Sequence, residues 1–170
     1  MTRSDRKALV IGYGNRLRGD DAVGLAVAEA LANDPIAGTE VVICHQLTPE
    51  LAERLAAVET AVFIDATSAG DAGRVRVTRL LAVAVPVAGL AHHIAPQTLL
   101  VMSLKLYGRS PEAFLVTVAA GSLDLGDGLS DAVSAALPEA VATVRRLLHA
   151  RHGGGQERSE STTDPSTSTS

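Results

Sequence analysis

Apolar residues along this chain fall into two alternating rhythms. Short runs, Ala8-Leu9-Val10-Ile11, Val41-Val42-Ile43-Cys44, Ala61-Val62-Phe63-Ile64 and Ala113–Ala119, are separated by longer stretches rich in Ala, Leu and Glu. A short run of this kind, bounded by turn residues, suits a strand buried on both faces. Lys7–Ile11, Thr39–Cys44, Ala61–Ile64 and Ala113–Ala119 are therefore expected strands, with the fully apolar third one central. Arg74–Thr78 instead alternates Val75 and Val77 with Arg74, Arg76 and Thr78, which predicts a strand with one wet face.

The intervening segments read as helices. Ala22–Asn33 carries an apolar stripe of Leu25, Val27, Ala28 and Leu31. Thr48-Pro49-Glu50 supplies an N-cap, a proline at the first helical position and an acid in the first turn, opening a helix to about Val58. Ala95–Tyr107 is opened by Pro96 and closed near Gly108, and a last helix runs from a Ser130 cap to about Ala150. Strands alternating with helices throughout predict an α/β fold, a three-layer α/β/α sandwich with a mostly parallel central sheet.

Composition narrows the picture in three ways. After His152 the chain becomes GGGQERSESTTDPSTSTS, without a large apolar residue, so 1–152 is expected to be a single α/β domain and 153–170 a disordered tail. A net charge of −4 gives no broad attraction to nucleic acid or anionic lipid. No uninterrupted apolar stretch reaches the ~20 residues of a spanning helix, and the charged start leads into no signal-peptide pattern. A soluble cytoplasmic protein with no membrane or nucleic-acid partner is expected. The lone Cys44 excludes an intramolecular disulfide and a Cys-rich zinc site, and its apolar run suggests a buried, inert thiol.

Open parallel sheets place their sites at the carboxyl ends of the strands. Three candidate groups fall there: the loop of GYGNRLRGDDAVG (12–24) after the first strand, Asp65 after the third, and His92 and His93 in AHHIAPQ before a helix. Carboxylates and an imidazole converging on one edge would suit a borderline divalent metal such as nickel or zinc. Each has a plainer reading as well. Gly12 and Gly14 can simply permit a tight turn, Asp20 can cap the helix starting at Ala22, Asp65 can be a turn residue, and the histidine pair can be a solvent loop. Dinucleotide binding fits poorly, because Leu17 stands where the third glycine of G-x-G-x-x-G belongs and Asp20 and Asp21 would face a pyrophosphate. No P-loop, G-x-S-x-G or H-E-x-x-H is present, and neither Ser68 nor Ser103 sits in a nucleophile motif.

GYGNRLRGDDAVG resembles the G-x-G-N-x-x-x-x-D-[DE]-x-x-G motif of the hydrogenase maturation endopeptidases. HQLTPEL (45–51), FIDA (63–66), HHIAPQTLL (92–100), LYGRSPEAFLVTVAAGSLDLGDGLS (106–130) and ALPEAV (136–141) follow in the family's order, so the likeness spans roughly Ala8 to Leu148. The resemblance implies a peptidase that trims the C-terminal extension of the large subunit of a nickel–iron hydrogenase, with the precursor as its partner. It implies Asp21, Asp65 and one histidine of the 92–93 pair as catalytic and nickel-recognising residues. A gapless match favours His92, with His93 as the alternative. Many relatives carry Glu at the place of Asp21, while Asn15 and Asp20 are implied to orient the loop. The nickel would belong to the substrate and be recognised rather than permanently held, with no organic cofactor. Either a metal-polarised carbonyl or metal-bound hydroxide, or an Asp65 or Asp21 general base, would drive hydrolysis. A non-catalytic docking protein and a small-molecule enzyme on the same scaffold are the rival readings. With no interface stripe visible, a monomer is the expected state.

Overall fold

The computed structural model describes residues 7–83, 94–126 and 128–152, of which only Arg151 and His152 are described by backbone alone. In chain order these form β1 (Ala8–Tyr13), a 3-10 turn (Gly19–Ala22), α1 (Val23–Asn33), β2 (Thr39–Cys44), α2 (Leu51–Ala56), β3 (Thr60–Thr67), β4 (Val75–Leu80), α3 (Pro96–Tyr107), β5 (Glu112–Ala119) and α4 (Asp131–His152). The tail expected at 153–170, and His92 and His93, lie outside the described residues. Among the described residues no helix is long and apolar enough to cross a membrane.

The sheet order is β2-β1-β3-β5-β4, parallel except for β4, which runs antiparallel to β5. The unbroken apolar runs of β1 and β3 explain their central places, because each must bury both faces. Val10, Val62, Ile64, Val116 and Val118 face one layer, where Val23, Val27 and Leu31 of α1 meet Val133, Val144 and Leu148 of α4. Leu9, Ile11, Ala61 and Phe63 face the other, against Leu51 and Leu55 of α2 and Leu99 and Leu100 of α3. The α/β/α sandwich with a mostly parallel sheet is thus what the chain forms.

Local departures from expectation each have a cause. β1 and β3 extend to Tyr13 and Thr67, because parallel pairing with a neighbour continues past the apolar run. Thr48 does not cap α2. The residues 48–50 form a preceding turn in which the Leu51 and Ala52 amides donate to the Thr48 and Pro49 carbonyls, and the helix ends at Ala56 rather than Val58. β4 is exposed at every residue from Arg76 to Arg79, so it lacks the one dry face its alternation predicted; as the edge strand it reaches the two cores only through its ends, Val75 and Leu80. Asp20 caps no helix, since α1 starts at Val23 after a turn with no side-chain cap. Ser130 does cap α4, accepting from the Val133 amide at 3.4 Å.

The chain leaves β1 outward to β2 and returns across it to β3. The gap between the carboxyl ends of β1 and β3 is therefore the switch point at which an open α/β sheet forms its crevice. Two glycines let α1 press against that point. A Cβ on Gly12 would lie 2.1 Å from the Gly24 carbonyl oxygen, and one on Gly24 would lie 2.4 Å from that of Ile64.

Candidate active site

Parallel register sets the first pair of groups. Gly12 lies opposite Ile64, so Tyr13 and Asp65 follow side by side at the ends of β1 and β3. The Tyr13 hydroxyl donates to the Asp65 carboxylate. The Ala66 amide donates to Asp65 Oδ1 at 2.8 Å. Burial pushes the Asp65 carboxyl up to about 6; the Tyr13 and Ala66 bonds pull against that, and the charge of Asp21 adds to it. Burial, with Asp65 beside it, also drives the Tyr13 hydroxyl well above its ordinary range, so it remains a donor.

Asp21 reaches the same crevice from the 3-10 turn after β1. The Asn15 amide donates to Asp21 Oδ2 at 2.9 Å, and Asn15 Oδ1 accepts from the Leu17 amide at 2.9 Å, which folds the loop back on itself. Gly14 makes the approach possible. Its φ is +146°, and a Cβ there would lie 1.8 Å from the Asp21 carbonyl oxygen.

Asp20 points the opposite way and is 1% exposed. It accepts from the Gly121 amide (2.7 Å), the Ser122 amide (2.9 Å), the Ser130 amide (2.6 Å) and the Ser130 hydroxyl (2.8 Å). Burial alone would raise its carboxyl, but the bonds from Ser130, Ser122 and Gly121 outweigh it and hold the group below the usual range. Two adjacent acids therefore have separate surroundings: Asp20 is walled in by donors, and Asp21 faces the cleft.

That cleft has a volume of about 330 Å³ and is lined by Asp21, Asp65, Tyr13, Arg18, His45 and Ile94 among others. Two of the sequence candidates, Asp21 and Asp65, are thus brought together. Ile94, the residue that follows His93 in the chain, lines the same space, while the histidine pair itself lies outside the described residues. Among the described residues no group of three or more His, Cys, Asp or Glu side chains is arranged to hold a metal ion. Tyr13 and His45 were not singled out as sequence candidates. Both stand immediately at a strand's carboxyl end, the signal that picked out Asp65, and the rule applied to every strand end would have found them. Cys44 is half-buried rather than enclosed, and burial raises its thiol.

No family sequence model and no curated protein matches the chain. Solved structures do. A hydrogenase 2 maturation peptidase from a Thaumarchaeota archaeon is 28% identical with a TM-score of 0.66, covering 85% of this chain and 99% of its own. Over most of both lengths the chain is thus similar to a hydrogenase maturation peptidase. A [NiFe] hydrogenase maturation protease, HybD, from Thermococcus kodakarensis is 25% identical with a TM-score of 0.60, over 83% of this chain and 98% of its own. The hydrogenase maturating endopeptidase HybD of E. coli shares the fold at 23% identity and a TM-score of 0.63, over 88% and 94%. Both the family resemblance and the layered fold read from the sequence agree with these matches.

Proposed function

We propose that the protein is an endopeptidase that removes the C-terminal extension of a nickel-loaded nickel–iron hydrogenase large-subunit precursor. One observation carries this reading beyond the likeness to these peptidases: Asp21, from the turn after β1, and Asp65, near the carboxyl end of β3, share a single cleft at the switch point. His92, or His93 in its place, would complete the set, supported by its position in the chain just before Ile94. These residues would recognise nickel already seated in the substrate, so that only a loaded precursor presents its scissile bond correctly. Asp65, with a carboxyl near 6, suits a general base close to neutral pH.

In that role Asp65 takes a proton from water as the water oxygen bonds to the scissile carbonyl carbon. The carbon–nitrogen bond then breaks and the departing amine receives the proton. Tyr13 holds Asp65 in orientation, and the Asn15 amide anchors Asp21. Polarisation of the carbonyl by the substrate's nickel would lower the barrier in the same geometry. The protein acts as a monomer in the cytoplasm, without an organic cofactor.

Intact mass of nickel-loaded and nickel-free large-subunit precursor, before and after mixing with this protein, tests the reading. Loss of a short C-terminal peptide from the loaded sample alone supports it. Asp21→Ala, Asp65→Ala and either His92→Ala or His93→Ala should remain folded by circular dichroism and cut at least a hundredfold more slowly, on the order expected for loss of an acid–base group. Cleavage at the wild-type rate by all four variants removes the site assignment, and binding without any cleavage would favour a docking role.

A further inference from the structure

A second cleft, of about 600 Å³, opens on the other side of the loop that carries Gly14 and Asn15. Gly14, Asn15 and His45 line both clefts, so they adjoin across one ridge. Their far walls belong to opposite layers of the sandwich. Leu47 and Ile94 of the carboxylate cleft pack with the α2 and α3 core. Ile43 follows the alternation of Val41, which packs with the α1 and α4 core, and it meets Leu25 of α1 in the second cleft.

One side of this second cleft is apolar, formed by Leu17, Leu25 and Ile43 beside the polar Asn15, Arg16 and His45. Leu17 and Ile43 are 63% and 39% exposed, and Leu25 closes the floor. The cation on the wall, Arg16, is ion-paired with Glu29 of α1. Burial keeps the Cys44 thiol protonated at neutral pH. The Gly126 amide donates to the Leu17 carbonyl at 3.1 Å, which ties the Leu17 backbone to the segment after β5. Leu17 and Ile43 are exposed within one cleft next to the Asp21–Asp65 cleft, and apolar side chains grouped in this way rather than scattered mark a contact surface.

Resting on the peptidase reading above, we propose that this cleft is a specificity subsite for the substrate peptide, taking an apolar side chain within a few residues of the scissile bond. A peptide with its reacting carbonyl at Asp21 and Asp65 that runs over the Gly14–His45 ridge enters the Leu17–Leu25–Ile43 cleft directly, since an extended chain advances about 3.3 Å per residue. The chain's own 153–170 segment contains no large apolar residue with which to fill it. With Arg16 paired to Glu29, the Leu17–Leu25–Ile43 side favours an apolar side chain over an acidic one.

The test uses full-length protein and nickel-loaded precursor. Leu17→Glu and Ile43→Glu place a charge in the cleft at exposed positions; Val77→Glu, an exposed apolar site on the opposite edge strand, is the control. The expected result is a KM raised about tenfold or more with kcat nearly unchanged, the range for a lost apolar contact in a pocket. Alanine replacement of the precursor's apolar residues on either side of the cut should identify one position whose effect is non-additive with Ile43→Glu. Unchanged kcat/KM in both Glu variants overturns the subsite while leaving the peptidase reading intact. A change of oligomeric state without a change in KM assigns the cleft to a second copy of the chain and also overturns it. Failure of the wild type to cut loaded precursor removes the peptidase reading, and the subsite with it.

Discussion

Ser130 donates to Asp20 twice, from its amide at 2.6 Å and from its hydroxyl at 2.8 Å, across 110 positions of sequence. The same serine caps α4. One buried carboxylate therefore joins the loop bearing Asp21 to the segment between β5 and α4. A parallel bridge between Arg18 and Gly126 reinforces that junction. The cleft is built on a fixed base rather than on a free loop.

Asp20→Ala would leave the Gly121, Ser122 and Ser130 amides without their acceptor in a buried place. A loss of about 3 kcal/mol is expected, or roughly 6–12 °C in Tm for a domain of this size. The carboxyl of Asp20 lies below its ordinary value in the folded state. Its contribution is therefore complete above about pH 4 and is lost as pH falls through the lowered folded value. Thermal melts of both proteins across the acid range should show their gap narrowing at low pH; a constant gap would contradict the charged role of Asp20.

Asp65 has the opposite sign. Its folded carboxyl is raised from 3.8 to about 6. Below the unfolded value it is neutral in both states, and as pH rises through about 6 the folded protein must carry a half-buried charge. Stability is lost over that window. Asp65→Asn keeps an acceptor for Tyr13 and Ala66 without the charge. It should melt roughly 4–8 °C higher than wild type at pH 8, an order of 2 kcal/mol, with no advantage near pH 4. Under the proposed mechanism it should also fail to process precursor, the trade of stability for activity seen where an active site holds a destabilised group. Equal Tm values at pH 8 would show that the environment of Asp65 does not penalise its charge.

Gly14→Ala and Gly108→Ala separate crowding from backbone preference. Both glycines have positive φ, +146° and +72°, but a Cβ at Gly108 meets nothing within 4 Å while one at Gly14 strikes the Asp21 carbonyl. Gly108→Ala should cost about 1 kcal/mol and leave precursor cleavage unaffected. Gly14→Ala must displace the Asp21 loop, and cleavage should fall by at least tenfold, as for a catalytic group misplaced by an ångström. Equal activity in the two variants would mean that Asp21 does not depend on this close approach.

The apolar runs, together with the glycine and proline positions, determined the layered α/β fold, the central place of β3 and the closing of α3 at Gly108, because burial on two faces and left-handed backbone are local demands that residue types meet directly. The carboxyl-edge rule singled out Asp21 and Asp65 for the same reason: each follows a strand in the chain. Pairing across the sheet was decided only by tertiary structure. Register put Tyr13 next to Asp65, and packing turned Asp20 toward Gly121, Ser122 and Ser130, where no sequence spacing pointed. Identical neighbouring acids diverged in this way because a carboxylate's role follows the donors and the burial around it, and those come from segments up to 110 residues away.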